Sequence, residues 1–409
     1  MERTRKIQII STIVIIGFVL AVFYHYFMGA YLGYDYPYST FLFNPDDKFS
    51  DFFKPLNCGK MLSPYSRRGV ETTCMPISVV YYPFGELFFY PFSLIHDKSL
   101  WIFLGIFLIG WSNFVFKNFS QNNKLANLRD IFILSLTSYP FLFTMDRANL
   151  EGYVFLFVVG FCYFYNSNNK WKALLGSICL SLAIAIKPFP SLFLLLLVIE
   201  KKWKNIFFII ISSIIINTAS ALCFKDDFWV ILSATKNNQN EVITRGVIQN
   251  LNWDHGHNII GMLKSLLYIV MSFDNLGDQE IVENWSSLLF NIGTILSVII
   301  FLVTAWYILF KERQFWKIIA LITFLMLLLP PLSNDYRLLY IFLPMAFFVN
   351  NNRETKNDLI YTILFGLLLI PKSYILFPHM PGVGVIIEPM LMIIFGFLII
   401  QDGFKRKVV

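Results

Sequence analysis

A chain of 409 residues that is 56% hydrophobic, 18% aromatic and only 14% charged lies outside the compositional range of soluble globular domains. Its formal charge of +7 sits in short clusters between apolar runs rather than along one face. That pattern excludes a nucleic-acid surface and points to orientation in a membrane. Five cysteines are too few for a disulfide framework in a chain of this length. Cys162, Cys179 and Cys223 lie in or at the edge of apolar runs as packing residues, whereas Cys58 and Cys74 share one polar segment, which leaves open a bridge between them in an oxidising compartment.

The first apolar run, Ile7–Met28, follows Arg3, Arg5 and Lys6, is long enough to cross about 30 Å, and has no small-residue cleavage site. It is read as a retained first helix. Further spans are read at Leu100–Phe116, Ile131–Met145, Leu150–Tyr165, Ala173–Ile186, Phe189–Ile199, Ile206–Cys223, Ser286–Phe310, Ile318–Leu329, Leu338–Val349, Leu359–Ile370 and Ile386–Ile400. The expectation is an all-α polytopic membrane protein of about twelve transmembrane helices, forming one integral domain over residues 1–409.

Charge asymmetry orients these spans. With the N-terminus inside, every inner segment is basic: Lys117, Lys124 and Arg129; Lys170 and Lys172; Lys201, Lys202 and Lys204; Lys311, Arg313 and Lys317; Arg353 and Lys356; Lys405, Arg406 and Lys407. Roughly 19 of the 33 lysines and arginines fall in these short segments and the N-terminus. Both termini are therefore expected in the cytoplasm, with two large loops, residues 29–99 and 224–285, on the outer face.

The first outer loop contains FNPDDKFSDFFKP, residues 43–55. Asn44 is suited to cap a helix with Pro45 at its first position, and Asp46 and Asp47 then complement the helix dipole. Asp51 lies four residues after Asp47, expected on the same face and flanked by Phe49, Phe52 and Phe53, where it is either a base or a solvated surface acid. The aromatic, Pro-broken stretch ISVVYYPFGELFFYPF suits a second interfacial helix or a re-entrant segment.

A short outer turn, TMDRANLEGY at residues 144–153, concentrates Asp146, Arg147, Asn149 and Glu151 between two apolar spans. Charges at a membrane boundary are costly unless paired or wetted, which marks a candidate site. The structural alternative is a polar turn in which Asn149 or Asp146 caps the next helix and Arg147 snorkels. Lys187, in IAIKPFP, precedes a Pro-broken turn, and it either snorkels or meets an anion. In the second large loop, NLNWDHGHNIIG gathers Trp253, Asp254, His255, His257 and Asn258. A His-x-His pair without further acid or thiol spacing is a weak metal signal, so His257 and Asn258 are read as part of a sugar-binding or acceptor-shaping loop and no metal is expected. The turn SNDYR adds Asp335 and Arg337.

The order of DRANLEG, the basic turn NSNNKWK, IAIKPFP, the basic turn EKKWK, the DFF at Asp51 and the late LLPPLSNDYRLLYIFLP resembles glycosyltransferase family 87, polyprenyl-phosphate-mannose-dependent enzymes of the GT-C class. Many members carry Gly-Gln-x-Asn where this chain has Asp146-Arg147-Ala148-Asn149, so only Asn149 matches that form directly. The resemblance implies a GT-C-like fold with interfacial helices in the first outer loop. It also implies inverting transfer of a hexose, mannose by the family's habit, from a polyprenyl-phosphate donor to a lipid-linked or glycan acceptor at the outer face of the plasma membrane. Asp51 would be the base, with Arg147, Lys187 and Arg337 toward phosphate and Asp146 and Asn149 toward the sugar or the arginine. No P-loop, Gly-rich dinucleotide turn or Cys/His ligand set is present, so no cofactor is expected. The alternatives are a polysaccharide repeat-unit polymerase working through outer arginines, and a flippase or transporter. The latter is disfavoured because the charges lie at the outer boundary rather than near the midplane.

Overall fold

The computed structural model describes residues 1–59, 65, 81–95, 98–120, 124–244, 256–273, 279–353, 355–376 and 381–405. The Cys58–Cys74 pairing and Trp253, Asp254 and His255 lie outside the described residues. Among those described, the chain forms seventeen α-helices. They are α1 (Arg3–Tyr26), α2 (Ser50–Gly59), α3 (Pro83–Ser93), α4 (Ser99–Phe119), α5 (Lys124–Leu136), α6 (Tyr139–Arg147), α7 (Glu151–Phe164), α8 (Lys170–Ile186), α9 (Leu194–Ile199), α10 (Trp203–Leu222) and α11 (Phe228–Ile243). The C-terminal set is α12 (Ile259–Phe273), α13 (Gln279–Phe310), α14 (Phe315–Leu328), α15 (Phe342–Val349), α16 (Asp358–Leu368) and α17 (Val383–Lys405).

Among the described residues, five helical stretches are long and apolar enough to cross a membrane: Arg3–Tyr31, Ser99–Phe119, Trp203–Leu222, Trp285–Phe310 and Val383–Lys405. Their exposed faces are apolar, as at Phe207, Ile211, Ile214 and Ile215 on α10 and Ile295, Val298, Ile299 and Leu302 on α13. Contiguous apolar surface of this kind has lipid as its natural solvent.

Several of the expected elements differ in the structure. The run Ile131–Met145 is divided between α5 and α6, because Pro140 has no N–H to continue the ladder and Thr137 and Ser138 turn their hydroxyls back to the carbonyls of Ile133 and Leu134, both at 2.7 Å. Asn44 does cap a helical turn, accepting the Asp46 N–H at 3.0 Å, but that turn is a three-residue 3-10 helix ending at Asp47. Lys48 is extended and Phe49 has φ +58°, so α2 starts afresh at Ser50 and Asp47 and Asp51 do not share a helical face. Residues 224–285, expected as the second large outer loop, contain α11 and α12, the former capped by Asp227 through the Trp229 N–H at 2.9 Å.

The chain divides into two compact units. The first comprises residues 1–48, 112–146 and 246–409, and the second comprises residues 49–111 and 147–245.

In the first unit α14 is the central helix, buried from Trp316 through Leu328 and packed against α15 and α17, while α1 lies along α16. Several of the expected inner segments of this unit meet. Arg3 donates to the carbonyls of Ser120 and Asn118 at 2.6 and 2.9 Å and to Asn350 Oδ1 at 2.8 Å. Lys6 pairs with Asp358 at 2.9 Å, and Lys317 pairs with Asp402 at 2.7 Å while Asn357 also donates to Asp402 at 3.0 Å.

In the second unit α7 runs along α8, α8 along α10, and α2 packs on α3. Gly176 permits the first contact, since a Cβ there would stand 3.0 Å from the Tyr165 backbone N. Phe103 of α4 is the hub of an aromatic core, with its ring centroid 4.9 Å from Phe52 and 4.7 Å from Tyr153. Phe52 is fully buried, so this core anchors the first turn of α2 and with it the neighbouring Asp51. Two expected inner turns also meet here, through Lys202 donating to Asn166 Oδ1 at 2.5 Å.

Candidate active site

Four of the residues singled out from sequence come together in the second unit: Asp51, Arg147, Asn149 and Lys187. Two left-handed residues shape the segments that carry them. Phe49 at φ +58° precedes Asp51, and Ala148 at φ +47° separates Arg147 from Asn149. The αL residue ends α6 and redirects the chain before α7 begins, so that Arg147 and Asn149 both reach Asp51, an arrangement that a continuous helix with its 100° step per residue would not give. Lys187 is delivered by Pro188, which stops α8 at Ile186 and leaves Lys187 extended, at φ −144° and ψ 137°.

Asp51 receives a bond on each oxygen. Arg147 Nη2 donates to Oδ1 and also to Ser50 Oγ, while Asn149 Nδ2 donates to Oδ2 at 2.7 Å. The Asp51 side chain keeps 20% of its surface accessible, whereas Arg147 keeps 7%. A carboxylate has about four lone-pair positions, so two partners leave it able to accept a further hydroxyl.

Lys187 does not stand free to meet a ligand. Its Nζ lies 2.5 Å from Glu151 Oε2 and 3.3 Å from Asn149 Oδ1, and 5.4 Å from the centre of the Tyr81 ring. Glu151 is the member of this cluster to which the sequence analysis gives no role. Its signal was available in the chain: a lysine in an apolar stretch requires an acid, and Glu151 opens the neighbouring helix. Nearby, Glu86 of α3 is fully buried, accepts the Tyr81 N–H on Oε1 at 3.2 Å and has no hydrogen-bond partner on Oε2 among the described residues. Burial pushes its carboxyl up to about 8.

A second cluster forms in the first unit. His257 is fixed through its backbone and ring to Ser333, N–H to carbonyl at 3.1 Å and Nε2 to Oγ at 2.9 Å, beside the isolated bridge from Gly256 to Asn334. Its Nδ1 lies 3.4 Å from Asp335 Oδ1 and 3.8 Å from Glu388 Oε2. Tyr139 bonds the other Asp335 oxygen and meets Ser373 Oγ at 2.7 Å, and Lys372 Nζ is 3.2 Å from Glu388 Oε1. Burial holds both the His257 imidazole and the Lys372 ammonium below their usual values. His257, Asp335 and Glu388 present donor atoms within 4.8 Å of one another, a spacing that could hold a metal ion. Lys372 already answers one oxygen of Glu388, so the group also reads as a hydrogen-bonded buried ion network.

The remaining residues have local roles in the same unit. Asn258 Oδ1 accepts the Gly261 N–H at 2.7 Å and so caps the start of α12. Arg337 donates to the Leu332 carbonyl at 2.8 Å, and Asp146 is buried near the end of α6.

Residues 80–331 match the family model described as glycosyltransferase family 87. That match includes Arg147, Asn149, Glu151, Lys187 and His257, while Asp51, Asp335 and Arg337 lie outside it. No curated protein and no solved structure matches the chain.

Proposed function

Since the chain belongs to glycosyltransferase family 87, we propose that it moves a hexose, mannose by family resemblance, from a polyprenyl-phosphate donor to a lipid-linked or glycan acceptor, inverting the anomeric carbon, with Asp51 as the base. The observation that carries this reading is the setting of Asp51: partly accessible, held on both oxygens by fixed donors, and with lone pairs left for an incoming hydroxyl.

The chemistry fits a single carboxylate. A lipid phosphate leaves as an anion without a proton, so only the acceptor hydroxyl needs a base. Its proton passes to Asp51, its oxygen bonds the anomeric carbon, and the bond from that carbon to the phosphate oxygen breaks. Negative charge thereby moves from Asp51 to the departing phosphate. Arg147 is bonded to Asp51 at the start, and as the carboxylate is neutralised its guanidinium becomes available to the new charge.

The membrane arrangement rests on the same proposal: about twelve spans, both termini cytoplasmic and the site at the outer face of the plasma membrane. The meeting of Arg3 and Lys6 with Asn118, Ser120, Asn350 and Asp358, and of Asn357 with Asp402, within one unit supports a common end for those segments.

Proteoliposomes supplied with three labelled donors test the donor class. Transfer from a polyprenyl-phosphate monosaccharide, and none from a nucleotide sugar or a polyprenyl-diphosphate oligosaccharide, is the expected result. Transfer from the diphosphate oligosaccharide alone would make the protein a repeat-unit polymerase.

A further inference from the structure

The Asn149 side chain has only one orientation consistent with its neighbours. Its Oδ1 faces the Glu151 backbone N–H at 2.8 Å and the Lys187 ammonium at 3.3 Å, two groups that can only donate. The Nδ2 is thereby turned to Asp51 Oδ2 at 2.7 Å. Lys187 is in turn held by Glu151 Oε2 at 2.5 Å, with the two side chains 10% and 2% exposed. Lys187 and Glu151 thus set the orientation of the amide that Asp51 meets.

We propose that Glu151 is a positioning residue for Asp51, acting through Lys187 and Asn149. Its backbone N–H and its carboxylate act on the same amide oxygen, the first directly and the second by stationing the lysine. Asn149 and Glu151 are two residues apart on either side of Leu150, at the start of α7, so the amide contact is local while the lysine comes from the end of α8. A glutamine at 151 would keep the backbone bond and lose the charge. The buried ammonium would then lack its nearest acid and leave Asn149, and the amide would be free to rotate its oxygen toward a carboxylate that repels it. The chain of contacts ends on Asp51, so the expected effect falls on turnover.

The inference rests on Asp51 as the base, and the test separates the two. Transfer of labelled sugar from a polyprenyl-phosphate monosaccharide is measured in proteoliposomes for wild type, Asp51→Asn, Glu151→Gln, Glu151→Asp and the double variant Glu151→Gln with Lys187→Met. The double variant removes both buried charges and so avoids leaving one unmatched, which keeps the experiment decisive if Glu151→Gln does not fold. Expected are a fall in kcat of roughly 10- to 100-fold for Glu151→Gln and for the double variant with donor KM within about twofold, and partial recovery in Glu151→Asp. Wild-type kcat in a folded Glu151→Gln or double variant, with Asp51→Asn inactive, overturns the inference alone. A raised donor KM at unchanged kcat also overturns it and assigns the Lys187–Glu151 pair to donor binding. Activity in Asp51→Asn overturns the base assignment itself.

Discussion

Arg147 and Asp51 stand 96 positions apart in the chain, and one guanidinium nitrogen of Arg147 bonds both the Asp51 carboxylate and the Ser50 hydroxyl beside it. The pair is set by two breaks in regular structure, at Phe49 and Ala148, rather than by any helix face.

Arg147→Lys is expected to lower transfer at least about tenfold and Arg147→Ala about 100-fold, because the lysine side chain is one bond shorter and does not bring its nitrogen to the position that Nη2 holds between Asp51 and Ser50. Initial rates in proteoliposomes, on protein that elutes as wild type, measure this. Full activity in Arg147→Lys would mean that only a charge is needed at this position.

Ala148 holds φ +47° while only 1% exposed. Glycine relieves the backbone and gives up one methyl contact, so Ala148→Gly should change stability by no more than about 1 kcal/mol. Ala148→Val, β-branched in a left-handed position, should cost about 2 kcal/mol or more. Thermal unfolding in detergent distinguishes them, and activity should fall with Ala148→Val because the turn aligns Arg147 and Asn149.

Glu86 makes stability depend on pH with a definite sign. Burial raises its carboxyl to about 8, so the native protein holds a proton that the unfolded chain releases above the ordinary value of 4.5. Its contribution to stability is therefore lost as pH rises between these values and levels off above about 8. Glu86→Gln keeps an acceptor for the Tyr81 N–H and should flatten the decline, leaving the variant more stable than wild type at pH 8 by roughly several degrees in Tm. Parallel slopes for the two proteins would place the titration elsewhere.

The cluster of His257, Asp335, Glu388 and Lys372 is expected to behave as an ion network. Lys372→Met and Glu388→Gln should each destabilise, and the double variant should cost less than their sum, with a coupling of about 1 to 3 kcal/mol. Elemental analysis of purified protein supplies the contrary outcome. One equivalent of a divalent metal, lost in His257→Ala, would assign His257, Asp335 and Glu388 to a metal centre instead.

Much of the second unit's site was legible in the sequence, because polar residues in an apolar chain are expensive and therefore few. Asp51, Arg147, Asn149 and Lys187 stood out for that reason, and the structure brings them together. Their pairing was not legible. From sequence Arg147 and Lys187 read as cations toward phosphate, and their partners Asp51 and Glu151 follow from which helices are neighbours rather than from local spacing. The relation of Asp47 to Asp51 was misread because helix periodicity was continued through Lys48 and Phe49, where the left-handed residue restarts the count. Helix α11 is hidden in the sequence for another reason. Lys236, Asn237, Asn238, Gln239 and Asn240 make α11 polar enough to resemble a loop on hydropathy, while its N-cap Asp227 is a signal that could have located it.

The measurement that reaches the central claim most directly is sugar transfer by wild type and Asp51→Asn with a labelled polyprenyl-phosphate monosaccharide, scored together with the anomeric configuration of the wild-type product by NMR. The account predicts an inverted product from wild type, and an Asp51→Asn protein that is folded, still binds donor and transfers at least about 1000-fold more slowly. Retained configuration, or an Asp51→Asn protein that transfers at the wild-type rate, would contradict it.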